Sequence, residues 1–203
     1  MNAFAADPFA PESLTPVRLD IYTSAYRVSG SFGTRFRRVA EILNQLTAPH
    51  LVLSQATVSE YDDPHATLGA HQVFVALDEI VMCIAATDGE PNPEMQIPKR
   101  PIKAQLAIPP FRLTGTVHVP QGSRPVDGLL NVSERFLPVT EVTITCAAHP
   151  ELGRTAGAVA VRRSLAHVIL ISDDERPDEL LADVLDERTA QTWLSSREPA
   201  PEG

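Results

Sequence analysis

The chain repeats itself. Tyr26-Arg27-Val28-Ser29-Gly30 matches Phe111-Arg112-Leu113-Thr114-Gly115 at an offset of 85 residues. Val39, Ile42, Leu43 and Asn44 match Val126, Leu129, Leu130 and Asn131 at 87. Leu51, Leu53, Thr57 and Val58 match Leu137, Val139, Thr143 and Ile144 at 86, and Val73 and Val75 match Val159 and Val161 at the same offset. A spacing that drifts by two over about 70 residues marks a tandem duplication, and whatever fold one copy takes the other should take too. Repeat 1 spans 17–86 and repeat 2 spans 102–172.

Each copy opens on strict alternation. Val17, Leu19 and Ile21 are separated by Arg18 and Asp20, and Ile102, Ala104 and Leu106 by Lys103 and Gln105. Period-2 patterning of this kind predicts a strand with one buried and one wet face. A second strand is expected over Tyr26–Phe32 and Phe111–Val119, with the matched glycines Gly30 and Gly115 inside it. An interior glycine marks a bulge or a sharp bend. A short helix follows: Phe36, Val39, Ile42, Leu43 and Leu46 share one face, as do Val126, Leu129 and Leu130, and Pro125 suits a first turn. Two long strands complete each unit, Leu51–Tyr61 with Val73–Ile84 and Leu137–Ala147 with Val159–Ile171, the last long enough to bend into two. The predicted class is mainly β with one short helix per repeat, an α+β pattern.

Around the repeats the reading is less regular. Residues 1–16 are expected to be a disordered N-terminal segment, with no charged-then-apolar pattern of a secretory signal. Prolines in 87–101 predict a semi-extended linker. Acidic residues from Asp173 to Glu179 crowd the start of a predicted amphipathic helix over 173–196, where negative charge suits the helix dipole. Leu181, Leu185 and Trp193 are its candidate partner contacts, and 197–203 is expected to be a disordered tail.

Gly115, then Asp127-Gly128-Leu129-Leu130-Asn131, then Leu137 and Val142 resemble the first motif of the Sm-like (Sm/Hfq-type) small β-barrels. Val73–Val81 and Val159–Ile171 are similar to the second motif, two strands joined by a short turn. The duplicated form also resembles uncharacterised bacterial tandem-repeat proteins. The resemblance implies two tandem Sm-like barrel units able to associate through strand edges. Its RNA-binding members present an Asp/Asn turn and a basic turn to the nucleotide, which would place Asp127, Asn131, Arg162 and Arg163 at a contact surface in repeat 2. Repeat 1 departs from that pattern, with Ala40 opposite Asp127 and the acidic Leu77-Asp78-Glu79 where a basic turn is needed.

Composition narrows the function. A net charge of −9 argues against a broad nucleic-acid footprint. Cys83 and Cys146 lie in apolar runs at unmatched positions, so a reducing, cytoplasmic setting is expected rather than a disulfide framework. No run approaches the length of a membrane span. The six histidines show no zinc spacing; Asp62, Asp63, His65 and His71 share a loop that reads as solvated. No phosphate loop, nucleophile elbow or catalytic constellation is present, so neither a cofactor nor an enzyme activity is expected. The basic clusters Arg35-Phe36-Arg37-Arg38, Arg162-Arg163 and Lys99-Arg100 read as ion-pair partners for the 26 carboxylates. The expectation is a non-enzymatic interaction or assembly module that self-associates or binds a protein partner through strand edges or the C-terminal helix. The alternative is an Sm-like RNA binder working mainly through repeat 2.

Overall fold

The computed structural model describes residues 14–63, 65–86, 99–130 and 133–172. The chain is mainly β. Repeat 1 contains β1 (Thr15–Tyr22), β2 (Tyr26–Thr34), α1 (Val39–Asn44), β3 (His50–Glu60), β4 (Thr67–Ala76) and β5 (Met82–Ala85). Repeat 2 contains β6 (Lys99–Ile108), β7 (Phe111–Pro120), α2 (Pro125–Leu130), β8 (Phe136–Cys146), β9 (Arg154–Arg162) and β10 (Val168–Ser172). Both helices are six residues long and Pro125 opens the second, where its missing N–H costs nothing.

The last strand of each copy, long enough to bend into two, is divided by a 3-10 turn, Leu77–Glu79 in one and Arg163–Leu165 in the other. Two boundaries differ from the sequence reading. The fourth strand starts earlier than the apolar pattern suggests, at Thr67 and Arg154. Residues 67–72 of β4 are exposed throughout, so no buried side chain announces them. Lys99, Arg100 and Pro101, assigned to the linker, belong to β6, where Pro101 lies opposite His118 near the strand's start. The rest of that linker, most of the N-terminal segment, and the predicted helix and tail beyond Ser172 fall outside the described residues.

All ten strands form one antiparallel sheet in the order β10-β6-β7-β8-β9-β5-β1-β2-β3-β4. Within repeat 1 the order is β5-β1-β2-β3-β4, and repeat 2 reproduces it as β10-β6-β7-β8-β9. The two copies meet where β5 pairs with β9, Met82 opposite Val161 and Cys83 opposite Ala160.

The duplication reaches the backbone. Between β2 and β3 the register jumps at Gly30, which faces both Gln55 and Ala56; between β7 and β8 it jumps at Gly115, which faces Glu141 and Val142. Gln55 and Glu141, at matched positions, have φ of 49° and 52°. Each is therefore the left-handed residue of a bulge that bends its strand. The glycines opposite are required by contact: a Cβ on Gly30 would sit 2.9 Å from the Leu53 and Ala56 Cβ atoms, and one on Gly115 2.9 Å from the Thr140 carbonyl.

The bent strands wrap two cores that exchange residues. The first gathers Leu19, Ile21, Val28, Leu51, Leu53, Val75 and Cys83 from β1–β5 with Val39, Ile42 and Leu43 of α1, and it takes in Phe136 and Ala160 from repeat 2. The second is built on Ile102, Leu106, Leu113, Val139 and Val159, and it takes in Tyr22, Tyr61, Val81, Met82 and Ile84 from repeat 1.

Candidate interaction surface

The joint between the copies is where polar chemistry concentrates. Asp20, on the wet face of β1, accepts hydrogen bonds from Arg27 Nη2 (2.9 Å), Arg154 Nη1 (2.9 Å) and the Ser29 hydroxyl. Arg154 also donates to the Tyr22 hydroxyl at 3.3 Å. Burial pushes the Asp20 carboxyl up, but the hydroxyl and the two guanidinium groups outweigh it and hold the carboxyl below its usual value.

Aromatic rings pack beside this cluster. Phe111 meets Tyr22 and Tyr61 edge-on at 5.7 and 5.9 Å, and the Tyr61 hydroxyl donates to the Thr23 carbonyl at 2.9 Å. Burial raises the Tyr61 hydroxyl well above its ordinary value, keeping it a neutral donor. His149 lies 3.6 Å from Asp62 and 3.5 Å from Glu151, drawing the β3–β4 loop of one copy to the β8–β9 loop of the other.

A second clamp sits at the other end of the joint. Arg162 donates to the Leu77 carbonyl and to Asp78, both at 2.6 Å, and to the Ser164 hydroxyl at 3.1 Å, while its guanidinium lies over the Phe136 ring. Asn44, the last residue of α1, accepts from Phe136 N–H and donates to Phe136 C=O, both at 2.9 Å. Its side-chain amide thereby imitates a strand neighbour. Arg135 donates to the Leu46 carbonyl.

The residues singled out for RNA contact are distributed differently from a single surface turn. Asp127 is exposed on α2, which packs against β7. Arg162, with its side chain 13% exposed, is engaged across the joint. Arg163 opens the following 3-10 turn, and its backbone N–H donates to Arg135 C=O. Asn131, Leu181, Leu185 and Trp193 lie outside the described residues. Of the acidic and histidine residues in the β3–β4 hairpin, Asp62 turns towards His149, and His71 bonds to the Gln55 side chain at 3.0 Å. Among the described residues no group of three or more His, Cys, Asp or Glu is placed to hold a metal ion, and no helix is long and apolar enough to cross a membrane. Cys83 and Cys146 are buried in different strands and form no disulfide. A groove of about 480 Å³ between β2 and α1 is lined by Phe32, Phe36, Ile42 and Leu46, with Thr34, Arg35 and Gln45 also on its wall.

Among the described residues, most of the large exposed apolar side chains stand on the sheet's outer strands. Leu68 and Phe74 project from β4 with 71% and 65% of their surface exposed, and Val168 and Leu170 from β10 with 49% and 58%. Sequence reasoning expected association through strand edges without saying which strands form them, and it did not reach the Asp20 cluster. The signal that could have found them was the mismatch between copies: Arg154 stands at the position of Leu68, Arg162 at that of Ala76 and Ala160 at that of Phe74.

Compared with known proteins, the chain matches no family model, no curated protein and no solved structure.

Proposed function

We propose that this chain is a non-enzymatic assembly module that self-associates through the edges of its sheet. The observation that carries the reading is the placement of exposed apolar side chains. Four of the six large hydrophobic residues left exposed among the described residues stand on β4 and β10, the two strands with a neighbour on one side only. An open edge offers a row of unpaired N–H and C=O groups to another chain, and charged or proline-bearing edges are the usual protection. Residues 67–76 of β4 carry neither proline nor a charged Lys, Arg, Asp or Glu.

The Sm-like character of each repeat belongs to the same proposal. It is supported by five strands per copy, by the bulge at each matched glycine, and by cores to which all five strands of repeat 1 contribute. The predicted helix over 173–196, with Leu181, Leu185 and Trp193, enters on its sequence alone as a further protein contact. The RNA reading is less well supported, because the Arg162 guanidinium already serves the joint.

Light scattering over a range of concentrations, with absorbance at two wavelengths across the same peak, tests the proposal. A mass that is a multiple of 22.1 kDa with a protein-like absorbance ratio is expected. A monomer at every concentration overturns it, as does a particle whose nucleic-acid absorbance disappears in high salt.

A further inference from the structure

At the joint between the copies two guanidinium groups stand on one carboxylate. Arg27 Nη2 and Arg154 Nη1 both donate to Asp20 Oδ2, each at 2.9 Å, so the two nitrogens lie no farther apart than twice that distance. We infer that this pair forms a binding site for a phosphate group, free or as a monoester, seated across the joint. The inference goes beyond self-association and does not depend on how copies of the chain meet.

The second arginine is more than closing the joint requires. At the other clamp one arginine meets one carboxylate: Arg162 is matched by Asp78, the Leu77 carbonyl and the Ser164 hydroxyl, and its side chain is mostly buried. At Asp20, Arg154 by itself spans the two copies. Arg27 instead pairs with a carboxylate on the neighbouring strand of its own copy, and β1 and β2 are already paired from Thr15 opposite Thr34 to Tyr22 opposite Arg27. The duplication sharpens the point. Arg112 stands in repeat 2 at the position of Arg27, but Gln105 and Leu68 stand at those of Asp20 and Arg154. Two arginines therefore converge on a carboxylate at the joint and not at its counterpart.

Charge and hydrogen bonding in the cluster are unbalanced. Two guanidinium groups and one carboxylate leave a positive charge over, on a chain whose net charge is −9. Each guanidinium carries five N–H groups in a fixed fork. Arg27 spends Nη2 on Asp20, and its Nε is buried without an acceptor among the described residues. Arg154 spends Nη1 on Asp20 and on the Tyr22 hydroxyl. The two side chains are 39% and 37% exposed, which leaves both forks within reach of a small ion. They are also held in place beforehand: the Arg27 guanidinium lies over the Tyr22 ring at 5.7 Å, and Ser29 fixes the other oxygen of Asp20. Donors set before the ligand arrives cost it less ordering on binding.

These properties select the ligand. A guanidinium fork pairs bidentately with a carboxylate or a phosphate. A carboxylate has two oxygens and is satisfied by one fork, whereas a tetrahedral phosphate presents oxygens to both. Held by Arg27 of β2 and Arg154 of β9, the ion ties repeat 1 to repeat 2 a second time. A ligand that binds the joined state alone stabilises it by mass action, so phosphate should raise the melting temperature of the whole chain.

The test is titration of the full chain with inorganic phosphate, followed by phosphorus NMR and by thermal melts, with ionic strength held constant by chloride. Saturable binding of one phosphate per chain, and a melting temperature that rises with occupancy, are expected. Arg27→Gln leaves the Arg154–Asp20 pair across the joint in place. It should bind phosphate about tenfold more weakly and lose the rise. Arg27→Lys keeps the charge but not the planar fork, so it too should bind more weakly, and it carries the test if the glutamine variant does not fold. Arg112→Gln, at the matched position of repeat 2, should behave as the wild type. Methyl phosphate bound as well as the free ion assigns the site to a monoester on a larger molecule; its exclusion assigns the site to free phosphate. Phosphate also stabilises folded proteins in general, because it is excluded from their surface. A rise that never saturates and is equal in the wild type and the Arg27 variants is that general effect, and it overturns the site. So does the lack of saturable binding at millimolar phosphate, or binding that the Arg27 variants leave unchanged or that Arg112→Gln abolishes.

Discussion

Asp20 shows how one side chain can hold two copies together. It sits on a strand face that alternation marks as wet, yet three donors from β2 and β9 converge on it. Its carboxyl is held below its unfolded value of about 3.9, so its contribution to stability is fully present above that pH. The contribution is lost as the pH falls through the lower folded value, because the unfolded chain then binds the proton first. Asp20→Asn should cost about 1–3 kcal/mol at neutral pH and should flatten the acid limb of stability against pH below about 4. Denaturant titrations of both proteins between neutral and acid pH would show this; parallel curves would sink the account. At the bulges the deciding residue is glycine. Gly115→Ala puts a Cβ within 2.9 Å of the Thr140 carbonyl and the Val139 side chain, and about 1–3 kcal/mol of destabilisation is expected. Gly157→Ala is the control: nothing lies within 4 Å of the added carbon, so its midpoint should not fall.

At the scale of elements, the sequence pattern made most strands legible and hid the connections between them. Alternation located β1 and β6 because one face of each is buried. The helix face at Val39, Ile42 and Leu43 survives in the core, although the helices last less than two turns. What alternation could not show is that the two halves into which Leu77–Glu79 and Arg163–Leu165 divide the last long strand serve different partners. β4 stays with β3, while β5 crosses to β1 and to β9. Long-range pairing of that kind leaves no local mark. The site was less legible still: Arg162 resembles a surface turn arginine until the acidic 3-10 turn of repeat 1 is found beside it. There a lysine would keep the charge but lose the planar fork that reaches Leu77 C=O and Asp78 together. Arg162→Lys should therefore lower unfolding stability by about 1–2 kcal/mol, read from denaturant midpoints. Full retention of stability by the lysine would show that charge alone matters at that joint.

For the molecule from residue 14 to 171, two copies joined at one seam could unfold separately or together, and the exchanged residues decide between these. Cut between the repeats, copy one would expose Tyr22, Tyr61, Val81, Met82 and Ile84, all nearly fully buried in the intact chain. Copy two would expose Phe136 and Ala160. A unit below about 80 residues has only about 3–5 kcal/mol of margin from its core, and burying one large aliphatic or aromatic side chain is worth about 1.5–3 kcal/mol. Losing several at once removes that margin. Neither repeat should then hold its fold alone, and the intact chain should melt in a single transition with matching calorimetric and van't Hoff enthalpies. Fragments 14–86 and 99–172 should each lack a cooperative melt in circular dichroism and regain strand signal when mixed. If either fragment melts cooperatively by itself, the seam is a contact between two independent domains, and residues buried there would be dispensable to the fold.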